Sequence, residues 1–417
     1  MSKILFLNIA DYDHVYSTLG LVHELIKKGE EVIYSTSDNF KKEIEYVGAR
    51  FKCTNYSSGP LSGPPFLQQQ SLMDVMYSSI FYNIKRKNQL MELIFDEVQE
   101  LKPDYIIFDY RAFWGKEITR KLDIPAICVF PGMVINKKIF YTNPTEFIRW
   151  CFGGLYQTNS KEIEKIISVL NRVFKNKYKL DDISEGLIID ADLNIVYTNR
   201  FIQPFVDLLD DNYHFAGYSL YYKKLQEVFP GSIPGGVLPG EKNMIYVTAT
   251  PADKYHVQWN ARFYPLLFQA LKNDRRQVVM NYQCHDQDYY QLGEVPGNFF
   301  VGRFWHHGKL IDHSGLVITS GSYCTVHESL LHGVPMIVIP VGSEQFLVAQ
   351  KIEDLKLGIY LRPTSLTVES LRDAVSALQS DNRYKENCRH YGELIRNHSE
   401  DARAAEIVLD YIKSAAR

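Results

Sequence analysis

The sequence predicts an α/β chain of two lobes, each an open sheet of parallel strands covered by helices. Three observations carry this. The opening segment alternates strand, helix and strand; the same alternation restarts after residue 243; and a proline- and glycine-rich passage separates the two. At 417 residues the chain also exceeds the size at which one hydrophobic core keeps growing, so two domains are expected.

Residues 3–8 read as a buried strand and residues 9–16 as a polar loop. Leu19, Val22, Leu25 and Ile26 then recur at helical spacing, with Ser17 or Thr18 as N-cap and Gly29 as the stop. Residues 31–35 form the next strand and close a βαβ unit, which implies a parallel sheet. The pattern returns as a strand at 104–108, a helix at 115–122 and a strand at 126–130, with further strands at 187–189 and 194–198. Two aromatic stretches, 64–84 and 130–156, interrupt these units. Long loops on an α/β lobe are where small ligands are gripped, although most of these aromatic residues read as ordinary core.

Pro230-Gly-Ser-Ile-Pro-Gly-Gly236, followed by Pro239-Gly240, has linker composition. Beyond it come strands at 244–248, 277–280, 299–302, 316–319 and 336–340, and helices at 261–272 and 325–331. An amphipathic helix closes the chain at 401–412, with Ala404, Ile407, Val408 and Ile412 on one face. The resulting plan is a first lobe over residues 1–229, a linker at 230–242 and a second lobe over 243–399. Two open sheets in tandem argue for a ligand held in a cleft between the lobes.

Composition excludes several classes. Hydrophobic residues are 46% and charged residues 23% of the chain, which is ordinary for a globular protein. A formal net charge of -3 gives no electrostatic reason to expect nucleic acid or an anionic membrane as partner. No stretch approaches about 18 uninterrupted apolar residues. The start, Met1-Ser2-Lys3 and a short apolar run broken at Asn8, is too quickly polar for a signal peptide. A cytoplasmic protein without membrane insertion is the expectation. Cys53, Cys128, Cys151, Cys284, Cys324 and Cys388 show no C-x-x-C spacing, so reduced thiols are expected.

Ligands of open α/β sheets bind beyond the carboxyl ends of the strands. His14 lies in the loop after the first strand, and Asp109 directly follows the strand that begins at Tyr105. If those strands are neighbours, imidazole and carboxylate can meet. A carboxylate on one ring nitrogen fixes the tautomer and frees the other nitrogen to take a proton from a hydroxyl. Taken singly, His14 reads as an ordinary loop histidine and Asp109 as a helix N-cap. In the second lobe, Leu316-Val-Ile-Thr-Ser-Gly-Ser-Tyr-Cys-Thr-Val-His-Glu328 runs strand, glycine turn, helix start. The N–H groups of such a helix start form an anion site, to which Ser322 and Thr325 can add hydroxyl donors. Glu328 and, after the next strand, Glu344-Gln345 can meet sugar hydroxyls. No metal site is expected. Asp286-Gln-Asp288 follows a strand as a solvated loop would, and His306, His307 and His313 have no cysteine or carboxylate at ligand spacing.

His332-Gly-Val-Pro335, the downstream Glu344-Gln345 and Glu328 at its spacing resemble the nucleotide-sugar signature of family 1 glycosyltransferases, of the bacterial macrolide and natural-product type. Further matches run through Gln277-Val-Val-Met280, Leu292-Gly-Glu-Val-Pro296 and His14-Val15 before Thr18-Leu-Gly-Leu21, and the resemblance covers essentially the whole chain. It implies a GT-B architecture of two Rossmann-like lobes with a cleft between them and the terminal helix, 400–417, crossing back to the first. It also implies an inverting, metal-independent hexosyl transfer. The donor would be a UDP- or dTDP-linked sugar acting as co-substrate, with no cofactor. The acceptor would be a small aromatic or polyketide-like molecule of antibiotic biosynthesis. On that pattern His14 is the base and Asp109 its partner. Phe304 stacks on the nucleobase, Glu328 holds the ribose, and Glu344 and Gln345 hold the sugar. The turn residues Thr248, Thr250, Ser320, Gly321, Ser322, Cys324 and Thr325, with His307, surround the diphosphate.

The departures from the family pattern fall in that diphosphate grip. The family places His, Gly and Asn where this chain has Ser320, Ser322 and Cys324. It has a Ser-x-Gly turn at Thr248-Ala-Thr250, and Pro-Gln at His306-His307. Loss of one charge-assisted phosphate contact weakens binding by about one to two decades. These departures leave an alternative: a catalytically silent relative that binds a small molecule or assists another transferase.

Overall fold

The computed structural model describes residues 2–54, 89–136, 138–139, 168, 191–229, 242–248, 257–282, 292–302, 307–341, 343–398 and 400–415. These fall into two compact units. The first takes the described residues up to Leu225 together with those from His398 onward, and the second takes Gln226–Asn397.

The first unit is built on seven parallel strands in the order β3-β2-β1-β4-β5-β6-β7. They are β1 (Lys3–Leu7), β2 (Glu31–Thr36), β3 (Arg50–Cys53), β4 (Tyr105–Asp109), β5 (Ala126–Phe130), β6 (Leu193–Val196) and β7 (Tyr213–Phe215). Its helices are α1 (Tyr12–Lys27), α2 (Lys41–Tyr46), one that includes residues 89–101 (α3), α4 (Trp114–Leu122) and α5 (Tyr221–Val228), which runs on into the second unit's residues. The central strands are buried on both faces, as a helix-covered parallel sheet requires. Each large apolar side chain so buried contributes about 1.5–3 kcal/mol. One core cluster joins Leu5, Ile106, Phe108, Ile118, Cys128 and Phe130.

The second unit carries six parallel strands in the order β10-β9-β8-β11-β12-β13. They are β8 (Met244–Thr248), β9 (Gln277–Asn281), β10 (Phe299–Gly302), β11 (Ser314–Thr319), β12 (Met336–Val338) and β13 (Gly358–Tyr360). The helices are α6 (Val257–Leu271), α7 (His307–Asp312), α8 (Tyr323–Leu331), α9 (Ser343–Asp354), α10 (Val368–Ser380) and α11 (Asn382–Asn397).

Both sheets wind outward from their first strand in one direction and then return to its other side. The order therefore reverses between β1 and β4, and again between β8 and β11. Such switch points, at the carboxyl ends of the strands, are where open α/β sheets bind ligands.

The start of α1 corrects the sequence reading. Asp11, not Ser17 or Thr18, is the N-cap, its side chain accepting from Asp13 N–H at 3.0 Å. An acidic cap followed by Asp13 in the first turn suits the positive end of the helix dipole. The Ser17 and Thr18 hydroxyls instead donate back to the carbonyls of Asp13 and Val15 inside the helix. His14 thus belongs to the first turn of α1 rather than to a loop. The expected strand at 187–189 lies outside the described residues.

The last helix, α12 (Asp401–Ala415), packs on α1 and β6 of the first unit. Its half-buried Asp401 accepts from Ser219 Oγ at 2.7 Å. A Cβ on Gly20 would fall 2.4 Å from Asp401 Oδ2, so α1 carries glycine where this carboxyl enters. Burial pushes the Asp401 carboxyl up to about 6, against the opposing hydrogen bonds from Ser219 and Tyr197. Among the described residues no helix is long and apolar enough to cross a membrane. Cys128, Cys324 and Cys388 are buried thiols and Cys53 an exposed one.

Candidate active site

At the first switch point β1 and β4 lie side by side, with Leu7 opposite Phe108. The side chains that follow them meet. His14 Nδ1 and Asp109 Oδ2 are 2.7 Å apart, with His14 7% and Asp109 0% exposed. The other carboxylate oxygen, Oδ1, accepts from Arg111 N–H at 2.8 Å, the short turn in which an Asp side chain holds the backbone two residues on. Asp109 is therefore not a helix cap: α4 begins five residues later, at Trp114, with Phe113 as its N-cap. Among the described residues His14 Nε2 has no hydrogen-bond partner.

The pair is held from behind by a polar cluster. Asn8 Nδ2 donates to the His14 carbonyl at 3.0 Å and to the Tyr34 hydroxyl at 2.7 Å. Thr18 Oγ1 and Tyr34 OH lie 2.7 Å apart. Burial alone would make His14 harder to protonate. The charge of Asp109 and its hydrogen bond together outweigh that, with Asp11 adding and Arg111 opposing, so His14 titrates above an ordinary histidine.

At the second switch point Thr248 lies opposite Thr319 in the pairing of β8 with β11. Thr319 Oγ1 accepts from Gly321 N–H at 3.1 Å. Gly321 has φ +95, and a Cβ there would meet Val338 Cγ1 at 3.1 Å, so both conformation and space call for glycine. Helix α8 begins at once. Its N-cap Ser322 makes no capping side-chain bond, and no acidic residue stands in its first turn. The positive end of this helix is thus left unneutralised by the helix's own residues, which is the electrostatic basis of an anion site.

Ser320, Cys324, Thr325 and Glu328 are all buried. Glu328 Oε2 lies 3.6 Å from His332 Nε2, one helical turn on, and His332 Nδ1 is 2.8 Å from Asp312 Oδ1. Glu344 and Gln345 are half-buried in the first turn of α9. Gln345 Oε1 accepts from Val341 N–H at 2.8 Å and so closes the turn between β12 and α9. Thr250 and Phe304 lie outside the described residues, as do His306, Asp286 and Asp288, and the His307 side chain is likewise not described. Among the described residues no group of three or more His, Cys, Asp or Glu is placed to hold a metal ion.

Comparison with known proteins meets this geometry. Residues 267–412 match the family model of the C-terminal domain of erythromycin biosynthesis protein CIII-like proteins. Over 99% of its length the chain is 26% identical to the NDP-glycosyltransferase YjiC of Bacillus subtilis (strain 168), covering 98% of that protein. It is 23% identical to demethyllactenocin mycarosyltransferase of Streptomyces fradiae, over 100% of this chain and 88% of that one. The crystal structure of a calicheamicin glycosyltransferase matches with a TM-score of 0.68 at 24% identity, covering 100% of both chains. The glycosyltransferase VinC, solved in complex with dTDP, matches with a TM-score of 0.65 at 12% identity over 99% of this chain and 100% of that one. The chain has the GT-B fold and is similar over nearly its whole length to NDP-glycosyltransferases.

Several residues of the site carry little local signature in the sequence. Asn8 stood out only as the polar break in an apolar strand, yet it ties together His14, Thr18 and Tyr34. His332 was read for its motif, while its four-residue spacing from Glu328 also signalled a side-chain pair on one helix face. Tyr110, directly after Asp109, stacks on the His14 ring with centroids 5.7 Å apart, a relation no local pattern encodes.

Proposed function

We propose that this cytoplasmic enzyme transfers a sugar, with inversion, from a UDP- or dTDP-linked donor to a hydroxyl of a small aromatic or polyketide-like natural product. The observation that carries the reading is the buried His14–Asp109 pair at 2.7 Å. With Asp109 accepting from Nδ1–H, the lone pair of the neutral ring lies on Nε2. Nε2 takes the acceptor hydroxyl proton as that oxygen bonds to the anomeric carbon. The bond from that carbon to the diphosphate oxygen breaks, and its electron pair leaves with the nucleoside diphosphate. One displacement inverts the anomeric centre. Asp109 stabilises the imidazolium that results.

The first unit would hold the acceptor and the second the donor, with the diphosphate against the Gly321 turn and the start of α8. No step requires a metal. Thr248, Thr250, Phe304, His307, Ser320, Ser322, Cys324, Thr325, Glu328, Glu344 and Gln345 are the proposed donor residues. The names of the relatives, an NDP-glycosyltransferase and a mycarosyltransferase, support a nucleotide-sugar donor and a natural-product acceptor.

The test is His14→Ala assayed by mass shift against a panel of nucleotide sugars. Turnover falls by about 10²–10⁴ with the fold intact; near-normal turnover would overturn the assignment. Calorimetry with UDP and dTDP tests the donor side independently. Silence with both would mark a chain whose donor grip has been lost, as the substitutions at Ser320, Ser322 and Cys324 would allow.

A further inference from the structure

A single hydrogen bond at Nδ1 locates one atom of an imidazole but leaves the ring free to rock about that contact. The base of a transfer reaction needs its plane fixed as well, because a misplacement of about 1 Å can cost about 10²-fold in rate. The structure supplies a face contact as well as an edge contact, from consecutive residues. Asp109 takes the edge of His14, and the ring of Tyr110 lies against its face, 5.7 Å between centroids and 26° from parallel.

Tyr110 is itself clamped. The Phe130 ring also stacks on it, at 5.3 Å and 16°. Its backbone N–H donates to Val129 O at 3.0 Å, which extends the β4–β5 ladder by one residue. Arg111 Nε donates to the Tyr110 hydroxyl at 3.1 Å, with the guanidinium 5.6 Å from the ring centroid.

We propose that Tyr110, clamped by Phe130 and Arg111, is a positioning residue that fixes the plane of the His14 ring and so aims Nε2 at the acceptor hydroxyl. This rests on the reading of His14 as the base. Arg111 has a second effect. Among the described residues, the charged groups acting on His14 are Asp109 from β4, Arg111 from the turn after it and Asp11 from the N-cap of α1. Of these charges Arg111 alone adds to burial in opposing protonation, so the residue that braces Tyr110 also keeps the base more available near neutrality.

The test compares Tyr110→Leu, Tyr110→Phe and Arg111→Gln with His14→Ala in the full chain, measuring kcat, donor KM and the pH profile of kcat/KM. Tyr110→Leu lowers kcat by about 10- to 100-fold with donor KM within about twofold, the split expected when orientation rather than binding is lost. Tyr110→Phe keeps the flat ring and recovers kcat to within about threefold of the parent. Arg111→Gln moves the acid limb of kcat/KM to higher pH. Should the leucine variant fail to fold, Tyr110→Met, with similar bulk and no planar face, provides the same reading. An inactive His14→Ala beside an unimpaired Tyr110→Leu or Tyr110→Met defeats the positioning role alone. An active His14→Ala defeats both it and the base assignment.

Discussion

The two switch points share a topology and differ in what stands at their tips. Between β1 and β4 the chain buries an ionisable pair, His14 and Asp109, with an asparagine and a tyrosine wired behind it. Between β8 and β11 it places the hydroxyls of Thr248 and Thr319, then a glycine turn and a helix start whose N-cap Ser322 makes no capping side-chain bond. The first arrangement depends wholly on side chains, so in the proposed reaction exchanging either ionisable residue removes most of the proton chemistry. The second rests on backbone N–H groups and a helix dipole, which many sequences can present. In the proposed reaction the base site is therefore brittle and the diphosphate site tolerant. That tolerance is how family substitutions at Ser320, Ser322 and Cys324 can coexist with an intact fold.

The comparison can be broken most decisively at the first tip. Asp109→Asn turns an acceptor toward Nδ1 into an amide that can donate to it, favouring the wrong tautomer. It is expected to lower kcat/KM by about 10²–10⁴ while donor affinity, read by calorimetry, stays unchanged. Equal loss of donor binding would show that the two tips are not separable. At the second tip Gly321→Ala must carry a left-handed φ and a Cβ close to Val338. It should cost about 1–2 kcal/mol in stability and weaken dTDP or UDP binding, seen as a lower Tm and a raised Kd.

Side-chain deletions at the same place should matter less. Ser320→Ala and Cys324→Ala each remove at most a neutral hydrogen bond, about 0.5–1.5 kcal/mol, so donor Kd rises by less than about tenfold. A larger rise would move the diphosphate grip from backbone to side chain. The smallest effect is a displaced limb in a pH profile. Because Asp109 holds His14 protonated to higher pH than usual, the neutral base is lost as pH falls through a value above about 6.5. Asp109→Asn lowers that limb, and any residual activity should extend further into acid.

The same contrast between side chains and backbone governs what could be read in advance. Strands β5, β8 and β10 match the sequence reading at both ends, because runs such as Ala126–Phe130 and Met244–Thr248 are apolar between polar or turn-forming neighbours. The strands that went unrecognised, β3, β7 and β13, are all at sheet edges. Arg50–Cys53 alternates charged and apolar residues beside a single neighbour, so no continuous apolar run marks it. The helix start at Asp11 was missed because Ser17 and Thr18 are good caps by residue type. Only the packed helix shows their hydroxyls bonded to carbonyls within it.

Within the site, the meeting of His14 and Asp109 was legible because strand ends converge at a switch point whatever the loops do. Tyr110 and Asn8 were not, since their importance lies in which ring or carbonyl they touch across the sheet.

The docking of α12 on α1 has a practical consequence. The chain leaves the first unit near Leu225 and re-enters it at His398, so residues 226–397 are an insertion in the other unit's sequence. A chimera that exchanges the second unit between relatives must therefore be spliced at two junctions. A single crossover would import a foreign terminal helix, whose first residue would have to fit a glycine notch cut for Asp401.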